Sequence, residues 1–107
     1  MSMYTVILSF ALDDWADEMT RTELVEYTLS CRAELLDPGS QRGDPAYLSL
    51  AREIAYDRAL MKLCETSGVS VTVANFTSPT LERARLENEL ARAGIDLDAL
   101  ARRARQR

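Results

Sequence analysis

The 107-residue chain has no histidine. That removes the side chain most often used as a general base near neutral pH. Ser-His-Asp and Cys-His nucleophiles are therefore excluded within one chain. Zinc sites built on imidazole are excluded too, and the two cysteines, Cys31 and Cys64, are too few for a four-cysteine site. Glycine occurs 4 times and proline 3 times, so extended disorder is not expected away from the ends. The most glycine-rich stretch, residues 38–43 (PGSQRG), has its two glycines at a spacing that fits no phosphate-binding loop. No apolar run approaches the roughly 20 residues of a membrane helix. Residues 1–12 are fairly apolar, but they lack a basic leading segment and are cut short by Asp13 and Asp14. The expectation is a cytoplasmic protein with no metal, no cofactor and no membrane association, and not an enzyme.

What is present suits a single globular domain over residues 1–107: 47% apolar and 28% charged residues, enough for a core without disulfides. Both cysteines fall on apolar sides of predicted helices, as buried structural thiols do. The net charge of -4 is unevenly spread. Residues 1–34 hold two arginines against seven acids, and residues 79–107 hold seven arginines against five acids. Such polarity suits the alignment of helices, the orientation of a dimer or the steering of a partner. The acidic whole argues against broad nucleic-acid binding. Arginine outnumbers lysine 12 to 1, which carries no functional weight.

Apolar periodicity predicts an all-α bundle of four main helices with a short C-terminal helix. Residues 4–10 (YTVILSF) fit either a short strand or the start of the first helix. A helix over 10–19 with Ser9 as its cap would put Leu12, Trp15, Ala16 and Met19 on one side. Asp13, Asp14, Asp17 and Glu18 would then form its solvated face, which needs no cation to explain it. At residues 20–23, TRTE fits a capping box. The helix it opens carries Leu24, Thr28, Cys31 and Leu35 in one stripe, with Tyr27 beside it, and should stop near Leu36 before Asp37-Pro38-Gly39. Residues 44–67 form the strongest helix, with Asp44 as cap and Pro45 at the first helical position. Tyr47, Leu50, Ala51, Ile54 and Met61 make one face; Tyr56, Leu60, Leu63 and Cys64 widen it. Ser67-Gly68 ends it. Residues 69–76 (VSVTVANF) fit a strand, a crossover or a short helix, and an irregular packed connection is favoured. Ser78-Pro79 opens the next helix, with Leu86, Leu90 and Ala93 on its main side. Asp96 caps the last helix, through Leu97, Leu100, Ala101 and Ala104, and residues 102–107 make a basic tail expected to fray.

Two kinds of candidate site follow. Asp57 and Arg58 sit on or beside the apolar stripe of the strongest helix, so each needs a partner. Neighbours in sequence do not face each other on a helix, so their partners should differ. An internal ion-pair network is favoured over a ligand pocket. Trp15, Tyr27, Tyr47, Tyr56 and Phe76 are the aromatic anchors available to a partner or homodimer interface, or to the core. The favoured role is a noncatalytic protein-interaction, regulatory or assembly module, with another protein or a second copy as partner. The alternative is a helix-turn-helix-like regulator using residues 63–76 (LCETSGVSVTVANF), with Arg102, Arg103, Arg105 and Arg107 on phosphates. Residues 70–76 hold no arginine or lysine to anchor a backbone.

Overall fold

The other elements are built on one 21-residue helix, Ala46–Thr66, in the computed structural model, which describes residues 2–15, 18–37 and 45–105. In chain order the elements are α1 (Met3–Asp13), α2 (Arg21–Leu36), α3 (Ala46–Thr66), a 3-10 turn (Val73–Thr77), α4 (Pro79–Arg92) and α5 (Leu97–Arg105). The expected all-α bundle is what the chain forms, with four longer helices and a short last one and no strand among the described residues. Helix α2 lies along α3; α1 and α4 pack on α3 and on the 3-10 turn; α5 closes over α2 and α4.

Along α3, Ile54, Tyr56, Asp57, Ala59, Leu60, Met61, Leu63 and Cys64 are all buried. A helix with one neighbour buries a stripe; one surrounded by helices buries most of its circumference. Leu8, Leu24, Phe76, Leu86, Leu90, Ile95 and Leu97 complete the core around it. Phe76 is fully enclosed, worth about 1.5–3 kcal/mol relative to exposure. It is delivered by the 3-10 turn, so residues 69–76 are the irregular packed connection favoured above, with Val69, Val71 and Val73 against the core.

The helix ends follow local rules. Thr20 Oγ1 accepts from the Glu23 amide and the Glu23 carboxylate accepts from the Thr20 amide, both at 3.2 Å, which completes the capping box. These two hydrogen bonds hold the Glu23 carboxyl below its usual range. Helices α3 and α4 end alike. Val69 N donates to Cys64 O at 2.9 Å and Ile95 N to Leu90 O at 2.8 Å, across glycines at φ 78° (Gly68) and 99° (Gly94). That is the Schellman pattern. A Cβ would meet nothing within 4 Å at either glycine, so the backbone conformation alone selects glycine. Asp96 Oδ1 accepts from Ala99 N at 3.1 Å and caps α5 as expected.

Two expectations need correction. The first helix does not run over 10–19 from a Ser9 cap. Ser2 is its cap, accepting from Thr5 N at 3.2 Å, and it ends at Asp13. Starting seven residues earlier takes the ambiguous 4–10 segment into the helix. It also leaves Asp13 and Asp14 at the carboxyl end, where the helix dipole disfavours acids. Trp15 and Met19 still pack against the core from the link that follows, while Ala16 and Asp17 lie outside the described residues. Second, Pro45 is the cap of α3 rather than its first helical residue, with extended backbone (φ -58°, ψ 150°). Asp44 lies outside the described residues.

Candidate functional site

Asp57 is completely buried. Arg83, from α4, grips it with both prongs: Nε to Oδ1 at 2.7 Å and Nη2 to Oδ2 at 2.8 Å. This two-bond fork is the strongest pairing a carboxylate makes with a side chain. Tyr4, from α1, donates its hydroxyl to the same Oδ2. Glu53, one turn before Asp57, lies 3.9 Å from Arg83 Nη2. Burial pushes the Tyr4 phenol well above its ordinary value, and the hydrogen bond to Asp57 pushes it further. Burial works against the charge on Arg83, but Asp57 more than offsets it and the guanidinium is held above its usual range. Three helices are thus tied at one carboxylate by a neutral and a charged donor.

A second network binds the other side of α3. Tyr56 donates its hydroxyl to Glu87 of α4. Arg32 of α2 reaches Glu87 at 3.5 Å and donates to Asp98 of α5. Burial, reinforced by Glu87, raises the Tyr56 phenol. Arg32 is pulled down by burial but raised overall, chiefly by Asp98.

Arg58 has partners of a different kind. Its guanidinium carbon lies 5.0 Å from the centre of the Trp15 ring, inside cation–π range. Nη2 donates to the Tyr27 hydroxyl and Nη1 to the Ala11 carbonyl, both at 3.3 Å. Trp15 and Tyr27 meet edge to face, centroids 5.8 Å apart. The Ala11 carbonyl is one of those the end of α1 leaves without a helical donor, so Arg58 caps α1 from α3. Asp57 and Arg58 therefore have separate partners, and both are drawn into internal packing.

Chemically, the Asp57 carboxylate is spent, while Arg32 Nε and Arg58 Nε are buried without a hydrogen-bond partner among the described residues. Both Asp57 oxygens are occupied, and no group of three metal-ligating side chains occurs among the described residues. Cys31 and Cys64 are free and buried. Burial raises the Cys31 thiol and pushes Cys64 up to about 12, so both are poor nucleophiles at neutral pH. Asp13, Asp14 and Glu18 are exposed, but only Asp13 is helical, so they do not share a helix face.

Of the aromatic anchors, Tyr56 and Phe76 are sealed in the core, and Trp15 and Tyr27 are half-buried around Arg58. Only Tyr47 stands out, 69% exposed. Arg102, Arg103 and Arg105 are exposed on α5; Arg107 lies outside the described residues. Residues 63–76 form the end of α3, a glycine turn, an extended link and the start of the 3-10 turn. No recognition helix follows the turn within that span.

The surface feature missed from sequence is the outer face of α1. Met3 is 74% exposed, Phe10 68% and Val6 36%. Positions 3, 6 and 10 share one side of a helix, opposite the buried Thr5 and Leu8. Their spacing was visible, but a segment with two possible periods gave no face to place them on. A groove of about 410 Å³ adjoins α1, lined by Ile7, Ala11, Tyr47, Leu50, Ala51, Ile54, Ala55 and Arg58. A second groove, about 310 Å³, lies between α2 and α5 and carries Arg32, Asp37 and Arg105 among its walls. No described helix is long and apolar enough to cross a membrane. Comparison with protein-family models, with curated proteins and with solved structures gives no match.

Proposed function

We propose that the protein is a noncatalytic interaction or assembly module that associates through the outer face of α1 and the groove beside it, as a homodimer. One observation carries this. Residues 3–12 contain no charge, yet α1 packs mainly its inner side, leaving Met3 and Phe10 largely exposed and Val6 partly so. Single exposed apolar residues are ordinary; three on one face, continuing into an apolar groove, form the kind of patch that marks a protein contact. The noncatalytic part is supported by the internal use of both Asp57 oxygens by Arg83 and Tyr4. A reducing, cytoplasmic setting fits two free buried thiols.

Size-exclusion chromatography with light scattering, across concentration and at two salt levels, tests the proposal. The expected result is a dimer that persists at the higher salt, because apolar association is not screened. Phe10→Glu is expected to give a folded monomer by circular dichroism, with a melting temperature that no longer depends on protein concentration. Monomer at every concentration, or a dimer indifferent to Phe10→Glu, would overturn it.

A further inference from the structure

We infer that the second copy docks with its α1 antiparallel to this one, about a two-fold axis near Val6 and Ile7; the inference rests on the proposed role of the α1 face. The argument comes from how charge is laid along α1. Its first turn has no acidic residue to meet the positive end of the helix dipole, and its last turn has no basic residue to meet the negative end. Asp13 and Asp14 stand there instead, exposed, and neither has an ion-pair partner among the described residues. Arg58 supplies one cation at that end, but it is turned inward, to the Ala11 carbonyl and the Trp15 ring. The outer side keeps its excess of negative charge.

A second α1 laid antiparallel corrects both ends at once. Its amino end, with unpaired amides and partial positive charge, comes beside Asp13 and Asp14, and the reverse contact forms by symmetry. A parallel pair would stack acids on acids and dipole on dipole. The apolar residues fit the same operation. Met3 and Phe10 lie about equally far either side of the axis, so Met3 meets Phe10 of the second copy, while Val6 meets its own counterpart beside Ile7. Between them the helix carries no charge to bury.

Cysteine cross-linking distinguishes the arrangements, because the native thiols are buried and the wild-type chain serves as the blank. Under mild oxidation of the full chain, Val6→Cys should cross-link to itself. Met3→Cys alone and Phe10→Cys alone should not, since antiparallel packing places each about 10 Å along the axis from its own counterpart. A mixture of Met3→Cys with a size-tagged Phe10→Cys should give the mixed product. All three positions are partly or largely exposed, so the variants are expected to fold, and circular dichroism checks that they do. Light scattering on each variant separates the failures. A dimer in which Met3→Cys or Phe10→Cys cross-links to itself as fast as Val6→Cys overturns the antiparallel order and leaves the docking face standing. A dimer with no cross-link at any position overturns both, since it must form elsewhere. A wild-type chain that is monomeric at every concentration removes the docking face itself.

Discussion

The two halves of α3 are both rich in apolar residues but have different surroundings. Residues 46–51 include Tyr47, Leu48 and Leu50, and none of the six is buried; residues 54–64 include Ile54, Tyr56, Leu60 and Leu63, all buried. Tyr47 is 69% exposed and Tyr56 1%. The difference lies in the neighbours. The carboxyl half is enclosed by the other helices, and its polar groups are answered by Arg83 and Glu87 of α4. The amino half borders an open groove beside α1. Apolar character marks residues that gain from burial, and packing decides which of them obtain it within the chain.

The sharpest way to break this contrast is at Asp57. Asp57→Ala is expected to cost about 3–5 kcal/mol, because Arg83 loses its main partner while most of its side chain stays buried. Urea unfolding measures it. Adding Arg83→Met should restore part of the loss, and a double-mutant cycle gives the coupling. Leu60→Ala should follow, at about 2–5 kcal/mol, from lost burial plus a cavity. Alkaline pH probes the same enclosed half. Cys64 has an ordinary value of 9.0 and about 12 in the fold. Below 9.0 the thiol is protonated in both states and its contribution is fully present. Above that, the unfolded chain releases its proton first, so stability falls as pH rises, by up to about 1.4 kcal/mol per pH unit. Tyr4 and Tyr56, raised above their ordinary 10.0, act in the same direction further up the scale. Thermal melts from pH 8 upward should show the decline, and Cys64→Ala should flatten its first part. Thr20→Ala removes one half of the capping box and should cost about 1 kcal/mol by urea unfolding. Smallest is Tyr47→Ser, within about 0.5 kcal/mol of wild type; a cost like that of Leu60→Ala would mean that the amino half of α3 is also enclosed.

Much of the bundle was legible because its signals are local. The capping box at Thr20, the stop at Gly68 and the cap at Asp96 each act within a few residues, and each is found where expected. The first helix was misplaced because Ser2 and Ser9 are both capping residues ahead of apolar runs, and only packing against α3 shows which is used. The partners of Asp57 were not legible at all. Its need for a cation followed from the apolar stripe, but Tyr4 is 53 residues away and Arg83 is 26, and helical periodicity carries no information across such distances. Arg83 and Glu87 do flank the Leu86–Leu90 stripe one turn apart, a weak sign that polar groups on that side of α4 face inward. The bare side of α1 was hidden for the opposite reason: a segment apolar all round marks no side as outer.

The order in which the chain is made adds a consequence to the Asp57 fork. When Asp57 is added to the growing chain, Tyr4 already exists, but Arg83 is 26 residues away. At roughly 5–20 residues per second of synthesis, that is a wait on the order of seconds, longer once the ribosomal exit tunnel is passed. Closing α1, α2 and α3 around an unanswered carboxylate would be costly, so burial of Asp57 is expected to wait for α4. Arrival of α4 brings the cation, Leu86 and Leu90 together, and the central carboxylate is then sealed in one event rather than helix by helix.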